Sequence, residues 1–270
     1  MVRLELPRAL RVLPAATLTW LAACSNGGSG AATVSLSLSA RSAPLPAATA
    51  PAGSGPAAVV VAAGDSTVIA LGNDTLILRS LAVVLRKIEL KRLETSSCDS
   101  IATNGDCEEF ESGPVLATFP LGSTNTAAAV TVSAPAGQYD KLEFEIHKTD
   151  STGDAAFVAA NPGFKNISIR VTGTFSKAGS RSDFTFTSDL DASEELGFNP
   201  PLAVVDGTPA NLTVRLDVAT WFANGGALID PASANVGGPN EGVVQNNIKN
   251  SIDAFEDDNR DGRDDHHEGS

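Results

Sequence analysis

The chain reads as a mainly β protein, an antiparallel β-sandwich or open barrel followed by one C-terminal helix and an acidic loop. Three observations carry this reading. Apolar and polar residues alternate in short runs, as Leu142, Phe144 and Ile146 do against Glu143, Glu145 and His147. Turn formers are abundant, with 24 Gly and 15 Pro in 270 residues. A helical period with a buried face occurs in one stretch near the C-terminus, at Val244, Ile248, Ile252 and Phe255. With 42% hydrophobic residues the chain is too apolar for wholesale disorder, and its length suits one domain or two. Its 32 acidic residues exceed its 19 basic ones, for a net charge of −13. That balance excludes a nucleic-acid partner, which requires a basic footprint.

The N-terminus is an address. Arg3, Arg8 and Arg11 precede an apolar run over 13–23. That run is too short to span a bilayer, which takes about 20 residues, but it suits a signal-peptide core. It ends in Leu21-Ala22-Ala23-Cys24, which resembles the lipobox of bacterial lipoproteins. The resemblance implies removal of the signal peptide 1–23 and acylation of Cys24. With Ser25 next, it also implies a lipid anchor in the bacterial cell envelope, at the outer membrane. Removing 1–23 deletes three Arg and one Glu and deepens the net charge to −15. Anionic headgroups repel such a body, so acyl chains and not electrostatics hold it to the membrane. Residues 24–31 are rich in Gly, Ser and Asn and read as a tether.

The body, 32–235, reads as strands. Val34, Leu36 and Leu38 alternate with Ser, and the Ala/Pro-rich stretch 40–57 predicts a mobile loop. Strand-like segments follow at 67–71, 75–78 and 81–93. In the last, the apolar phase is odd at Leu81, Val83 and Leu85, then even at Ile88 and Leu90. Such a slip predicts a β-bulge near Arg86-Lys87. Leu81, Val84, Leu85 and Ile88 also fit a helix, which stands as the alternative. If Cys24 carries lipid, Cys98 and Cys107 remain as an even pair around the turn Asn104-Gly105. Eight intervening residues do not suit a redox or metal pair, so a disulfide is expected, contributing up to about 2.5 kcal/mol. Ile167, Ile169 and Val171 alternate, as do Phe184 and Phe186, around a connection with Lys177, Gly179 and Arg181 that reads as too long for a tight turn. The last strand carries Leu212, Val214, Leu216 and Val218, with Thr213, Arg215 and Asp217 expected outward.

Two stretches carry a further resemblance. Glu111-Ser112-Gly113-Pro114-Val115 leads to Phe119-Pro120-Leu121, and Pro135-Ala136-Gly137-Gln138-Tyr139 precedes a strand. This pattern is similar to that of a secreted bacterial lipoprotein family without an assigned activity. The resemblance implies an immunoglobulin- or transthyretin-like sandwich over about 32–235, and it brings no activity with it.

Residues 240–270 read as the helix and an acidic loop. Asp257-Asp258-Asn259-Arg260-Asp261-Gly262-Arg263-Asp264-Asp265-His266-His267-Glu268 matches Asp-x-Asn-x-Asp-Gly-x5-Glu, the EF-hand calcium loop. Calcium is a hard cation wanting six to eight oxygens. Asp257, Asn259 and Asp261 supply side-chain oxygens in that pattern, Arg263 its carbonyl, Asp265 a direct or water-bridged contact, and Glu268 two oxygens. Asp264 occupies the position that is usually apolar, and only two residues follow Glu268. The loop therefore resembles a solitary dockerin- or thrombospondin-type site more than a paired sensor. His266 and His267 read as exposed.

Catalytic signals are thin, and no catalytic residue is assigned. His147 is the sole candidate base in the body, and it reads as part of a solvated face with Glu143 and Glu145. Gly64-Asp65-Ser66 has no partner block downstream to make it a nucleophile motif. The expected function is a non-catalytic lipoprotein, a binding or scaffolding module for an unknown protein or glycan ligand, with a structural Ca²⁺. The alternative is a carboxylate-dependent enzyme acting on extracellular glycans. For that class, Glu108 and Glu109 read as paired loop acids, and Tyr139, Trp221 and Phe222 as a sparse aromatic platform.

Overall fold

A computed structural model describes residues 32–40, 59–93, 107–111, 113–122 and 126–267. The signal peptide, Cys24, the tether, most of the 40–57 loop, Cys98 and Glu268 lie outside the described residues. The first half contains β1 (Ala32–Ser39), β2 (Val59–Ala63), β3 (Ser66–Leu71), β4 (Asp74–Arg92), β5 (Cys107–Glu111), β6 (Val115–Thr118), β7 (Ala127–Ala134) and β8 (Gly137–Ile146). The second contains α1 (Ala155–Ala160), β9 (Ile169–Lys177), β10 (Ser180–Ser188), β11 (Ala192–Val204), β12 (Ala210–Leu216), β13 (Ala223–Asn224), β14 (Ala227–Leu228), α2 (Glu241–Lys249) and β15 (Ile252–Glu256).

The fold is mainly β and sandwich-like. A four-stranded sheet runs β15-β12-β1-β7, and a nine-stranded sheet is built around β4, with β13 and β14 forming a separate pair. Along its 19 residues β4 pairs with β3 and β9, then with β5, β6 and β8, and β8 carries β11. Among the described residues the ladders are antiparallel except that β1 and β12 run parallel, from Val34 opposite Ala210 to Ser39 opposite Arg215. Alternation reports which face of a strand is apolar and is blind to strand direction, so the sequence could not signal this pairing.

Apolar faces of the two sheets meet. Val214, Leu216, Trp221, Ile248 and Ile252 oppose Val83, Leu85, Phe144 and Ile169 across a void of only about 10 Å³. The slip in β4 is a bulge at the expected place. Register against β8 shifts between Arg86 and Glu89, and Lys87 adopts φ 50°. Leu81, Val83, Leu85, Ile88 and Leu90 are thereby all buried. A second shift between Leu78 and Ser80 joins two segments read as separate into this one strand. The Pro135-Ala136 turn carries the chain from β7 in the small sheet to β8 in the large one. Tyr139 Oη donates to the Pro135 carbonyl (2.9 Å), the bond of a tyrosine corner, while Arg92 stacks 5.5 Å over its ring.

Three local expectations need correction. Lys177 pairs with Ser180, so Ala178 (φ 50°) and Gly179 (φ 83°) form a two-residue hairpin turn, not a long loop. Glu108 and Glu109 lie on β5, paired with Leu90 and Glu89, and not in a loop. The C-terminal helix buries Val244 and Ile248 but stops at Lys249. Ser251 Oγ donates to the Ile248 carbonyl (2.7 Å) and accepts from Trp221 Nε1 (2.7 Å), which turns the chain. Ile252 and Phe255 then enter β15, where Ile252 and Ala254 face the core beside Leu216 and Val214. An interval of four apolar residues suits a helix and, read in twos, a strand; the free edge of β12 decides for the strand.

Candidate functional site

The acidic loop is built onto the polar face of the small sheet. In β12, Asn211 and Thr213 point away from the core, yet both are buried, which corrects the outward reading of Thr213. β15 places Phe255 opposite Thr213, with the Arg215 guanidinium 4.9 Å over its ring. The following Asp257 continues the pairing: its N–H donates to the Asn211 carbonyl (2.9 Å), and Asn211 Nδ2 donates to the Asp257 carbonyl (2.8 Å). Asn211 Oδ1 in turn accepts from Ser37 of β1 (2.8 Å). The loop therefore follows a strand and not the helix expected before it.

Asp257 anchors the loop. It is 0% exposed, and its Oδ2 accepts from Thr213 Oγ1 (2.7 Å) and from the Gly262 N–H (3.0 Å). Its Oδ1 accepts from the Asp261 N–H (2.9 Å). Gly262, at φ 79°, takes the left-handed conformation that favours glycine, at the place the motif reserves for it. Burial pushes the Asp257 carboxyl up, and the Thr213, Gly262 and Asp261 donors offset only part of this.

Among the described residues, Asn259, Asp261 and Asp265 are linked by hydrogen bonds. Asn259 Oδ1 accepts from the Asp261 N–H (2.8 Å), and its Nδ2 donates to Asp265 Oδ1 (2.9 Å). Asp265 Oδ2 accepts from the Asp258 N–H (2.7 Å), and Asp261 Oδ1 from the Arg263 N–H (2.9 Å). Asp258 Oδ1 accepts from the Asn211 N–H (2.8 Å). Asp257, Asn259, Asp261 and Asp265 are thus brought together, with oxygens that accept N–H groups of the loop and its neighbours. Among the described residues, no three or more His, Cys, Asp and Glu side chains are arranged to hold a metal ion. The accepting atoms of this set are all oxygens, the donor type that a hard cation takes.

Sequence reasoning missed several neighbours. Thr213 and Asn211, more than forty residues upstream, supply the anchor, and no local signal could reveal them. A groove of about 270 Å³ opens beside the loop, lined by Phe198, Pro200, Leu202, Glu256, Asp264 and His266. Burial pushes the Glu256 carboxyl up and Asp258 adds to this, against the His266 ring 3.0 Å away.

The polar face of β8 carries Glu143, Glu145 and, just beyond the strand, His147. Arg86 Nε and Nη2 grip one Glu145 oxygen (2.9 and 2.7 Å), and Lys87 meets the other (3.2 Å). Burial pushes Glu145 up, but the Arg86 and Lys87 hydrogen bonds prevail and hold it below the ordinary range. Lys91 pairs with Glu143 and Glu195, and Lys141 with Glu195 (2.9 Å). These carboxylates are matched by cations. Tyr139, Trp221 and Phe222, read as a glycan platform, are buried in the core. His147, read as solvated, is buried as well. Gly64-Asp65 is the two-residue turn between β2 and β3, where Ser66 Oγ donates to the Ala63 carbonyl (2.7 Å). Comparison with family models, curated proteins and solved structures finds no match for this chain.

Proposed function

We propose that the protein is a non-catalytic, lipid-anchored module of the bacterial cell envelope whose C-terminal loop takes a structural calcium ion. One observation carries the calcium reading: the first motif residue, Asp257, is buried and bonded to β12 through Thr213. A cation held by Asp257, Asn259, Asp261, the Arg263 carbonyl, Asp265 and Glu268 would therefore act on the stability of the whole small sheet, not on a free tail. The all-oxygen donor set and Gly262 at its motif place support the same choice of metal. Affinity is expected at the extracellular end of the range, about 10⁻⁴–10⁻³ M. The alternative, a carboxylate-dependent enzyme acting on extracellular glycans, draws less support, because Tyr139, Trp221 and Phe222 are buried and Glu108 and Glu109 lie on a paired strand. Recognition of a protein or glycan partner falls to the sandwich surface.

The test is a calcium titration followed by calorimetry and limited proteolysis. Calcium at about 100 times its dissociation constant adds about 2.7 kcal/mol to a fold that alone binds it. Millimolar calcium should raise Tm and protect the C-terminus, and Asp261→Ala with Asp265→Ala should abolish both effects. Indifference of the wild-type protein to calcium would overturn the reading. For the anchor, the N-terminal peptide from expressing cells should carry acyl mass on Cys24. An unmodified N-terminus upstream of Cys24 would refute it. Non-reducing peptide mapping should join Cys98 to Cys107; free thiols at both would refute the bridge.

A further inference from the structure

His147 immediately follows β8, and its N–H donates to the Val84 carbonyl (2.9 Å), which fixes its backbone. The side chain is 7% exposed. Nε2 lies 2.8 Å from Asp154 Oδ2, on the residue that precedes α1. Burial pushes the Asp154 carboxyl up, but the Asp150 N–H (2.7 Å) and His147 outweigh it and hold it below the ordinary range. Asp154 Oδ2 already accepts the Asp150 N–H, so it acts as an acceptor toward the ring and assigns the proton of a neutral imidazole to Nε2. The Arg86 Nη1 contact at 3.5 Å then sets donor against donor.

This leaves Nδ1 with a lone pair, buried and without a hydrogen-bond partner. Across from it, 4.0 Å away, stands Asp191 Oδ1 in the connection between β10 and β11. A lone pair facing a carboxylate is the wrong chemistry for a neutral imidazole and the right one for an imidazolium. Asp191 is 61% exposed at its side chain, about one ångström beyond hydrogen-bond distance. Other charges around the ring are largely balanced. From β4, Arg86 and Lys87 share Glu145; Lys148, next in the chain, pairs with Asp189 (2.7 Å); Asp150 faces the loop before α1.

We propose that His147 is a proton-operated latch between Asp154 and Asp191. Uptake of one proton from solvent places N–H groups on both ring nitrogens, satisfies Nδ1 with Asp191, and ties the β10–β11 connection to the segment before α1. Loss of that proton releases Asp191 and returns Nδ1 to its unpaired state. Imidazole is the side chain whose charge ordinarily changes nearest neutrality, which suits it to a proton-operated contact.

Ring ¹⁵N spectra of the protein across pH 8 to 5, with His147 assigned through His147→Gln, read the tautomer and the protonation midpoint. Amide exchange over 189–192, corrected for its intrinsic pH dependence, reads the latch itself. The expected result is an Nε2–H tautomer at high pH and, on acidification, exchange slowed about two- to fivefold, the scale of a partly exposed ion pair. Asp191→Asn should lower the His147 midpoint and remove the slowing. This variant alters an exposed side chain, so it keeps the test open if His147→Gln fails to fold. An Nδ1–H tautomer at high pH, or equal midpoint and exchange in wild type and Asp191→Asn, would overturn the proposal.

Discussion

Replacing Asp257 by Ala removes the acceptor on which the C-terminal loop is hung. The Thr213 hydroxyl and the Gly262 N–H are both buried and both donate to Asp257 Oδ2. Each left unsatisfied costs about 1–3 kcal/mol. The Asp261 N–H keeps the Asn259 Oδ1 acceptor at 2.8 Å and adds little. Removing a carboxylate that burial disfavours offsets part of the loss. The net expectation is a destabilisation of about 2–4 kcal/mol, or about 5–15 °C in Tm for a domain of this size. Thr213→Val should cost about 1 kcal/mol alone, because Asp257 keeps its two N–H donors. Urea unfolding in EDTA, which keeps adventitious cations out, measures both variants and their double mutant. Coupling of at least about 0.5 kcal/mol is expected between residues in one hydrogen bond. A loss below about 0.5 kcal/mol for Asp257→Ala, or strict additivity with Thr213→Val, would refute the anchoring role.

Gly173→Ala should cost about 3 kcal/mol or more, since its Cβ would lie 2.0 Å from the Ile77 carbonyl oxygen and 2.9 Å from Phe184 Cε1; a Tm within about 2 °C of wild type would contradict this. Tyr139→Phe should lose about 1 kcal/mol in urea unfolding by deleting the bond to Pro135, and unchanged stability would show that the corner stands without it. Burial pushes the Glu194 carboxyl up, against the opposing pull of Lys249. A folded-state pKa above the unfolded value means that stability is lost as pH rises through it. Glu194→Gln should therefore raise Tm at pH 7, with the gain vanishing below the ordinary carboxylate value of about 4.3; a gain that persists at pH 3 would sink the assignment.

Much of the sandwich was legible because its signals are local. Leu142, Phe144 and Ile146 alternate with polar residues and are buried as expected, and the phase slip around Arg86-Lys87 marks a real bulge. The hairpin between β9 and β10 was half legible: both strands were found, but Ala178 in the left-handed region with Gly179 makes a tighter turn than an alanine signals. The helix end misled, because Ile248 and Ile252 are spaced for either a helix or a helix followed by a strand.

Local pattern was enough for the mainly β class, the alternating core faces, the acidic character and the clustering of Asp257, Asn259, Asp261 and Asp265 in one loop. Each is a property of neighbours along the chain, where a period of two or a spacing of two is sufficient information. Long-range packing decided that β1 lies parallel to β12, that Trp221 and Tyr139 belong to the core, and that His147 is enclosed between Asp154 and Asp191. It also decided that Thr213 is buried beneath Asp257. These depend on which strands become edges and what covers their polar faces. A residue reads as outward from its own strand alone; whether water or another segment meets it is settled by chain that arrives from forty or more residues away.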